Sequence, residues 1–151
     1  MQQSSYLESK VLTAPPQRLH LMLIEGAIRF GRQAEESLRK GEQVPAATPL
    51  LRVIDILGEL LAGVREKKGD LNSRIADLYS FLFRRAFEAK INGDADILGE
   101  VLKLLEYERQ TWQLVCDKLS SGEAIGTPKP ISGAFESRRN QPAKSGISFE
   151  A

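Results

Sequence analysis

Three breaks constrain what this chain can fold into. The stretches "RKGEQVPAATP" (39–49), "EKKGD" (66–70) and "NGD" (92–94) punctuate the sequence with glycine, proline and polar residues. Between them lie segments whose apolar residues recur every three or four positions, the period of a helix buried on one side. No segment alternates apolar and polar residues as a half-buried strand does. Long helices joined by short connections favour antiparallel neighbours, so the expected fold class is all-α, an antiparallel four-helix bundle.

The first helix is expected from Pro15 or Pro16 to Arg39. Thr13 is its expected N-cap, and Pro16 sits in the first turn, where a missing N–H costs nothing. The second is expected from about Pro49 to Val64 with Thr48 as cap. The third spans about Asn72 to Ile91, started by Asn72 or Asp70, and the fourth runs from near Asp94 to about Leu119. Advancing 100° per residue, the second helix gathers Leu50, Val53, Ile54, Leu57, Leu61 and Val64 on one stripe. The third gathers Leu71, Ile75, Leu78, Leu82, Ala86 and Ala89. The fourth gathers Ile97, Val101, Leu104, Leu105, Trp112, Val115 and Leu119, with Trp112 read as structural. Gly26, Gly58, Gly63 and Gly99 fall inside predicted helices, where each costs roughly 1 kcal/mol relative to alanine. Close approach of another helix is the expected reason, at Gly26 above all.

The two ends read differently. Residues 1–14 are expected to form an N-terminal arm, 15–119 the bundle, and 120–151 a disordered tail. That tail is rich in glycine, serine and proline and too poor in large apolar residues to offset its ordering entropy. Ile131, Phe135, Ile147 and Phe149 are its candidate binding points; a plain flexible tail is the other reading.

The first helix carries more apolar surface than one core requires. Leu19, Met22, Leu23, Gly26, Ala27, Phe30 and Ala34 share a side expected to face the bundle. Leu21, Ile24 and Ile28 fall almost opposite, among Arg18, Glu25, Arg32 and Glu35. An apolar patch in a charged face invites a partner, and an amphipathic helix in a groove is a common way to satisfy it. The nearest cover is the preceding arm with Tyr6, Leu7, Val11 and Leu12. On the third helix Tyr79, Phe83 and Phe87 widen the core stripe. They serve either a second neighbouring helix or a partner.

Charge and chemistry narrow the function. The chain has 21 Lys+Arg and 20 Asp+Glu; removing the four basic and three acidic residues of 120–151 leaves 17 of each. No basic stripe suggests a nucleic-acid partner. No apolar run approaches the roughly 18–20 residues that span a bilayer, and "MQQSSYLESK" lacks the pattern of a secretory leader, so a cytoplasmic protein without membrane insertion is expected. One cysteine and one histidine leave no metal-ligand cluster, and no phosphate loop or nucleophile elbow is present. No cofactor, no metal and no enzymatic activity are expected. His20 is read as a structural residue at the bundle edge, and Cys116 as a buried thiol. Glu108 is the awkward residue: it lies within an apolar stripe, and Arg85 is its expected ion-pair partner.

The stretch "YLESKVLTAPPQRLHLMLIEGAIRF" resembles the N-terminal signature of the flagellar secretion chaperones, the FliS family. "IADLYSFLFRRAFEA" and "ILGEVLKLLEYERQTW" are similar to later segments of that family, so the resemblance covers about residues 6–119. It implies a cytoplasmic helical bundle that binds the disordered C-terminal segment of flagellin, prevents premature polymerisation and passes flagellin to export-gate components. It also implies that the arm covers apolar binding surface when no client is present. The expected partner-binding residues are Tyr6, Val11, Leu12, Leu21, Ile24, Ile28, Tyr79, Phe83 and Phe87. Thr13, Pro16, Gly26 and Trp112 are the structural ones. A monomer or a homodimer is expected, and self-association through the extra apolar faces is the alternative to the chaperone reading. Pro15, Ile24-Glu25, Lys90, Glu108 and Thr111 depart from the pattern, Glu108 standing where it has leucine and Lys90 where it has asparagine.

Overall fold

A computed structural model describes residues 14–122 of the chain. Within them are α1 (Pro16–Arg39), α2 (Gln43–Arg65), α3 (Asp70–Asn92) and α4 (Ala95–Ser120), and no strand. The expected arm residues Tyr6, Val11, Leu12 and Thr13, and nearly all of the expected tail, lie outside the described residues. The described residues fall into two units, the first ending at Trp112 and the second beginning at Gln113, with the boundary inside α4.

The first unit is an antiparallel four-helix bundle. Short connections at 40–42, 66–69 and 93–94 return each helix along its predecessor. Side-chain pairs fix the same sense: Arg39 meets Asp96, Arg32 meets Glu106, and further along His20 meets Trp112, so α1 rises as α4 descends. The core runs through Ile24, Ala27, Ile28, Ala34 and Leu38 of α1; Leu50, Val53, Leu57 and Leu60 of α2; Tyr79, Leu82, Ala86 and Ala89 of α3; and Leu98, Val101 and Leu105 of α4.

The turns follow the sequence. Asn92 ends α3 and Gly93 takes a left-handed φ of 63°, a conformation that favours glycine. A Cβ at Gly93 would also overlap the side chain of Gln43. Asp94 then caps α4, its Oδ1 accepting from the N–H groups of Asp96 at 2.9 Å and Ile97 at 3.2 Å. Pro16 is the first residue of α1, but the N-cap position belongs to Pro15, which offers no side-chain cap. Gly69, not Asn72 or Asp70, occupies the N-cap position of α3.

Two expectations need correction. The second helix starts at Gln43, six residues before the expected Pro49, and Thr48 lies inside it. Pro45 stands in the first turn, where its lack of an N–H is harmless. Ala46 is buried one turn before Leu50, so packing draws that turn into the helix. Pro49 then removes one interior hydrogen bond without ending α2.

The orientation of α1 is the second correction. Ile24 and Ile28, expected on a face away from the core, belong to it, and Leu21 is buried at 1 % exposure. Leu23 and Phe30, expected at the centre of the bundle face, are only partly buried against the core, and Leu19 and Met22 are half-buried. The true inward line passes between the two stripes, through Ile24, Ala27, Gly31, Ala34 and Leu38. Small residues dominate it because α4 comes close there: a Cβ on Gly31 would lie 2.5 Å from Leu102 Cδ2. Gly26 does not have this role, since its Cβ would meet Ile56 Cδ1 at an ordinary 3.6 Å.

Candidate functional site

The aromatic series on α3 passes from core to surface. Tyr79 is wholly buried, Phe83 is partly buried against the core, and Phe87 is 49 % exposed. Leu21, Ile24, Ile28 and Tyr79 are therefore interior side chains, while Phe83 and Phe87 approach solvent. Beyond them Ile91 is 67 % exposed.

These surface residues border α2. Three contacts set the pairing of the two helices: Gln43 packs where a Gly93 side chain would stand, Phe83 lies 3.7 Å from a Gly58 Cβ position, and Arg65 reaches Ser80 Oγ at 3.5 Å. On α2 Gly58 and Arg65 meet this seam, and Leu51 and Val44 continue their line at seven-residue spacing. Val44 is 87 % and Leu51 48 % exposed. Opposite them run Ser80, Phe83, Phe87 and Ile91. The α2–α3 flank thus presents two apolar rows with a notch at Gly58, where the missing side chain leaves room beside the Phe83 ring. Sequence reading found Phe83 and Phe87, and the drift of their stripe reaches Ile91, but it missed Val44 and Leu51. Seven-residue spacing back from Gly58 was the available signal for Leu51 and Val44, and starting that helix at Pro49 left Val44 outside it.

A polar cluster occupies the interior beside this flank. The Tyr79 hydroxyl donates to Glu108 Oε1 at 2.7 Å and lies 2.7 Å from His20 Nε2. The Trp112 ring packs against the His20 imidazole at a tilt of 32°, with centroids 4.0 Å apart. Burial lowers the His20 pKa to about 4. Burial also raises that of Tyr79, reinforced by the charge of Glu108. The expected Arg85–Glu108 pair does not form. Arg85 instead binds Glu88 at 2.8 Å and Glu100 at 2.7 Å, because it projects toward the first turns of α4 and Glu108 sits two turns further along. Tyr79 supplies what the arginine was expected to give, a hydrogen-bond donor to a half-buried carboxylate.

Ion pairs line the outside of the bundle. Glu106 joins Arg32 of α1 to Arg109 of its own helix, and Arg39 bridges Glu35 and Asp96. Exposed pairs of this kind contribute little each, up to about 1 kcal/mol. Among the described residues, no three His, Cys, Asp or Glu side chains are placed to hold a metal ion. No described helix is long and apolar enough to cross a membrane.

Comparison with known proteins places this bundle. The family model of the flagellar protein FliS matches residues 1–119. The flagellar secretion chaperone FliS of Salmonella typhimurium is 32 % identical over 120 residues, spanning 78 % of this chain and 89 % of the relative. FliSB of Pseudomonas aeruginosa, also a flagellar secretion chaperone, is 31 % identical over 108 residues, 70 % of this chain and 85 % of its own. The Bacillus subtilis chaperone FliS is 26 % identical over 110 residues, covering 73 % and 82 %. A bundle whose four helices lie within the matched span, apart from the last residue of α4, carries the signature segments at these positions, and the chain belongs to the FliS family.

Proposed function

We propose that this chain is a cytoplasmic export chaperone that binds the disordered C-terminal segment of flagellin on the α2–α3 flank, prevents its premature polymerisation and assists its secretion. The observation that carries the reading is the double apolar row of Val44, Leu51, Phe87 and Ile91, exposed on one side of a bundle whose core is already complete. Phe83, beside the Gly58 notch, forms the half-buried floor. Tyr6, Val11 and Leu12 are proposed as further client contacts from the segment before α1.

Coupled folding and binding supplies the energetics. Ordering a disordered segment costs roughly 2–5 kcal/mol or more. Burying apolar surface returns about 25 cal/mol per Å², so several hundred Å² along the two rows offsets that cost. Release needs neither nucleotide nor bond cleavage; export-gate components competing for the client suffice.

The test is calorimetric titration with a peptide of the C-terminal flagellin segment from the same organism. Saturable binding with a negative heat-capacity change and helix gained by the peptide is expected. Phe87→Asp and Ile91→Asp should each weaken binding about tenfold or more while helical content persists. Normal binding by both variants would remove the α2–α3 flank as the site. No micromolar binding by the wild-type chain would remove flagellin as the client.

A further inference from the structure

We infer that Glu108 acts through the Tyr79 hydroxyl to fix the ring proton of His20 on Nε2, so that the three residues form a directional relay tying α4 to α3 and α3 to α1. The number of protons available fixes the direction of each bond. An ionised carboxylate only accepts hydrogen bonds, and a tyrosine hydroxyl carries one proton. At 2.7 Å from Glu108 Oε1, Tyr79 spends that proton on the carboxylate. Its oxygen retains only acceptor capacity. The 2.7 Å contact with His20 Nε2 is then a hydrogen bond donated by the imidazole. His20 must be the Nε2–H tautomer, with Nδ1 unprotonated.

Three surroundings support the assignment. The Trp112 ring, tilted 32° at a centroid distance of 4.0 Å, packs against the imidazole that meets Tyr79. Burial keeps His20 neutral near pH 7, which makes the tautomer a real question. Arg85 is engaged by Glu88 and Glu100, leaving Tyr79 as the hydrogen-bond donor to Glu108 among the described residues. Glu108 is a positioning residue in this scheme. With leucine in its place the tyrosine proton would have no carboxylate to bond. Tyr79 would turn it toward His20, and the relay would reverse, moving the imidazole proton to Nδ1.

Long-range ¹H–¹⁵N correlation spectra of the imidazole at pH 7.5 decide the matter, and the chain's only histidine needs no assignment. The wild-type chain should show a protonated Nε2 and an unprotonated Nδ1. Glu108→Gln, which keeps an acceptor oxygen, should show the same. Glu108→Leu should show the reverse. An Nδ1–H tautomer in the wild-type chain, or Nε2–H in a folded Glu108→Leu chain, overturns the proposal. Should Glu108→Leu fail to fold, Tyr79→Phe serves instead: it removes the acceptor, and the downfield, hydrogen-bonded Nε2 proton should vanish. Its persistence in that variant overturns the proposal equally. None of these readings involves a client, so they stand apart from the test of flagellin binding.

Discussion

The burial of His20 should make the stability of the chain depend on pH in a way that one substitution removes. In the folded chain the imidazole pKa is about 4, against 6.5 for the unperturbed side chain, and the cause is desolvation. The unfolded chain therefore takes up a proton at a pH where the folded chain does not. Above pH 6.5 neither form is protonated and the full stability is present. As pH falls from 6.5 toward 4, protonation favours the unfolded chain, and below 4 the loss is complete. A shift of about 2.5 units at 1.36 kcal/mol each sets the total at about 3 kcal/mol, of which roughly 2 kcal/mol is already lost at pH 5. The assay is urea unfolding of the wild-type chain and of His20→Gln at pH 8, 7, 6 and 5, where glutamine keeps a donor toward Tyr79 but does not titrate. Carboxylates elsewhere titrate alike in both chains and cancel in the difference. The advantage of wild type over variant should shrink by about 2 kcal/mol between pH 8 and pH 5. Parallel stability curves, or an imidazole titrating near 6.5, would refute the reasoning.

Other perturbations follow from the packing. Gly31→Ala should destabilise the bundle by about 1–2 kcal/mol, because the strain against Leu102 exceeds the gain in helix propensity, whereas Gly63→Ala, with nothing within 4 Å of its Cβ, should stabilise by about 0.5–1 kcal/mol. Thermal denaturation of the two variants side by side checks both signs. Asp94→Ala removes two hydrogen bonds from the start of α4 and should cost about 1 kcal/mol in chemical unfolding. Ile24→Asp, at 0 % exposure, should abolish the cooperative transition by burying an unpaired carboxylate, whereas Phe87→Asp should shift the midpoint little.

Much of the fold was legible because its punctuation is local. "NGD" encodes a left-handed glycine followed by an aspartate cap, and both appear where the sequence puts them. The stripes on α2, α3 and α4 were found in part, through Leu50, Val53, Leu57, Leu82, Val101 and Leu105, while Leu60, Leu98 and Leu102 are buried where Leu61, Ile97 and Leu104 were expected. What escaped reading was tertiary. The start of α2 depends on the burial of Ala46, which a propensity argument sees as a small residue between two prolines. The partner of Glu108 came from a tyrosine on another helix that sequence reasoning had placed at the margin of the core stripe, facing a second helix or a partner.

The apolar excess was visible in the sequence, but its location was not, and the reason is the same on both helices concerned. A helix face read from large side chains is drawn toward its margins when its centre is built from glycine and alanine. On α1 the centre is Ala27, Gly31 and Ala34, so the large residues on either side read as two opposed faces, although they flank one broad face turned toward α2 and α4. Close approach at Gly31 lets the bundle absorb that excess. On α2 the row through Val44, Leu51 and Gly58 lies at the edge of the core, and glycine there opens a notch instead of admitting a third neighbour. The excess on α2 and α3 thus stays outside. On α1 and α2, small residues decide which apolar surface the bundle consumes and which it leaves outside.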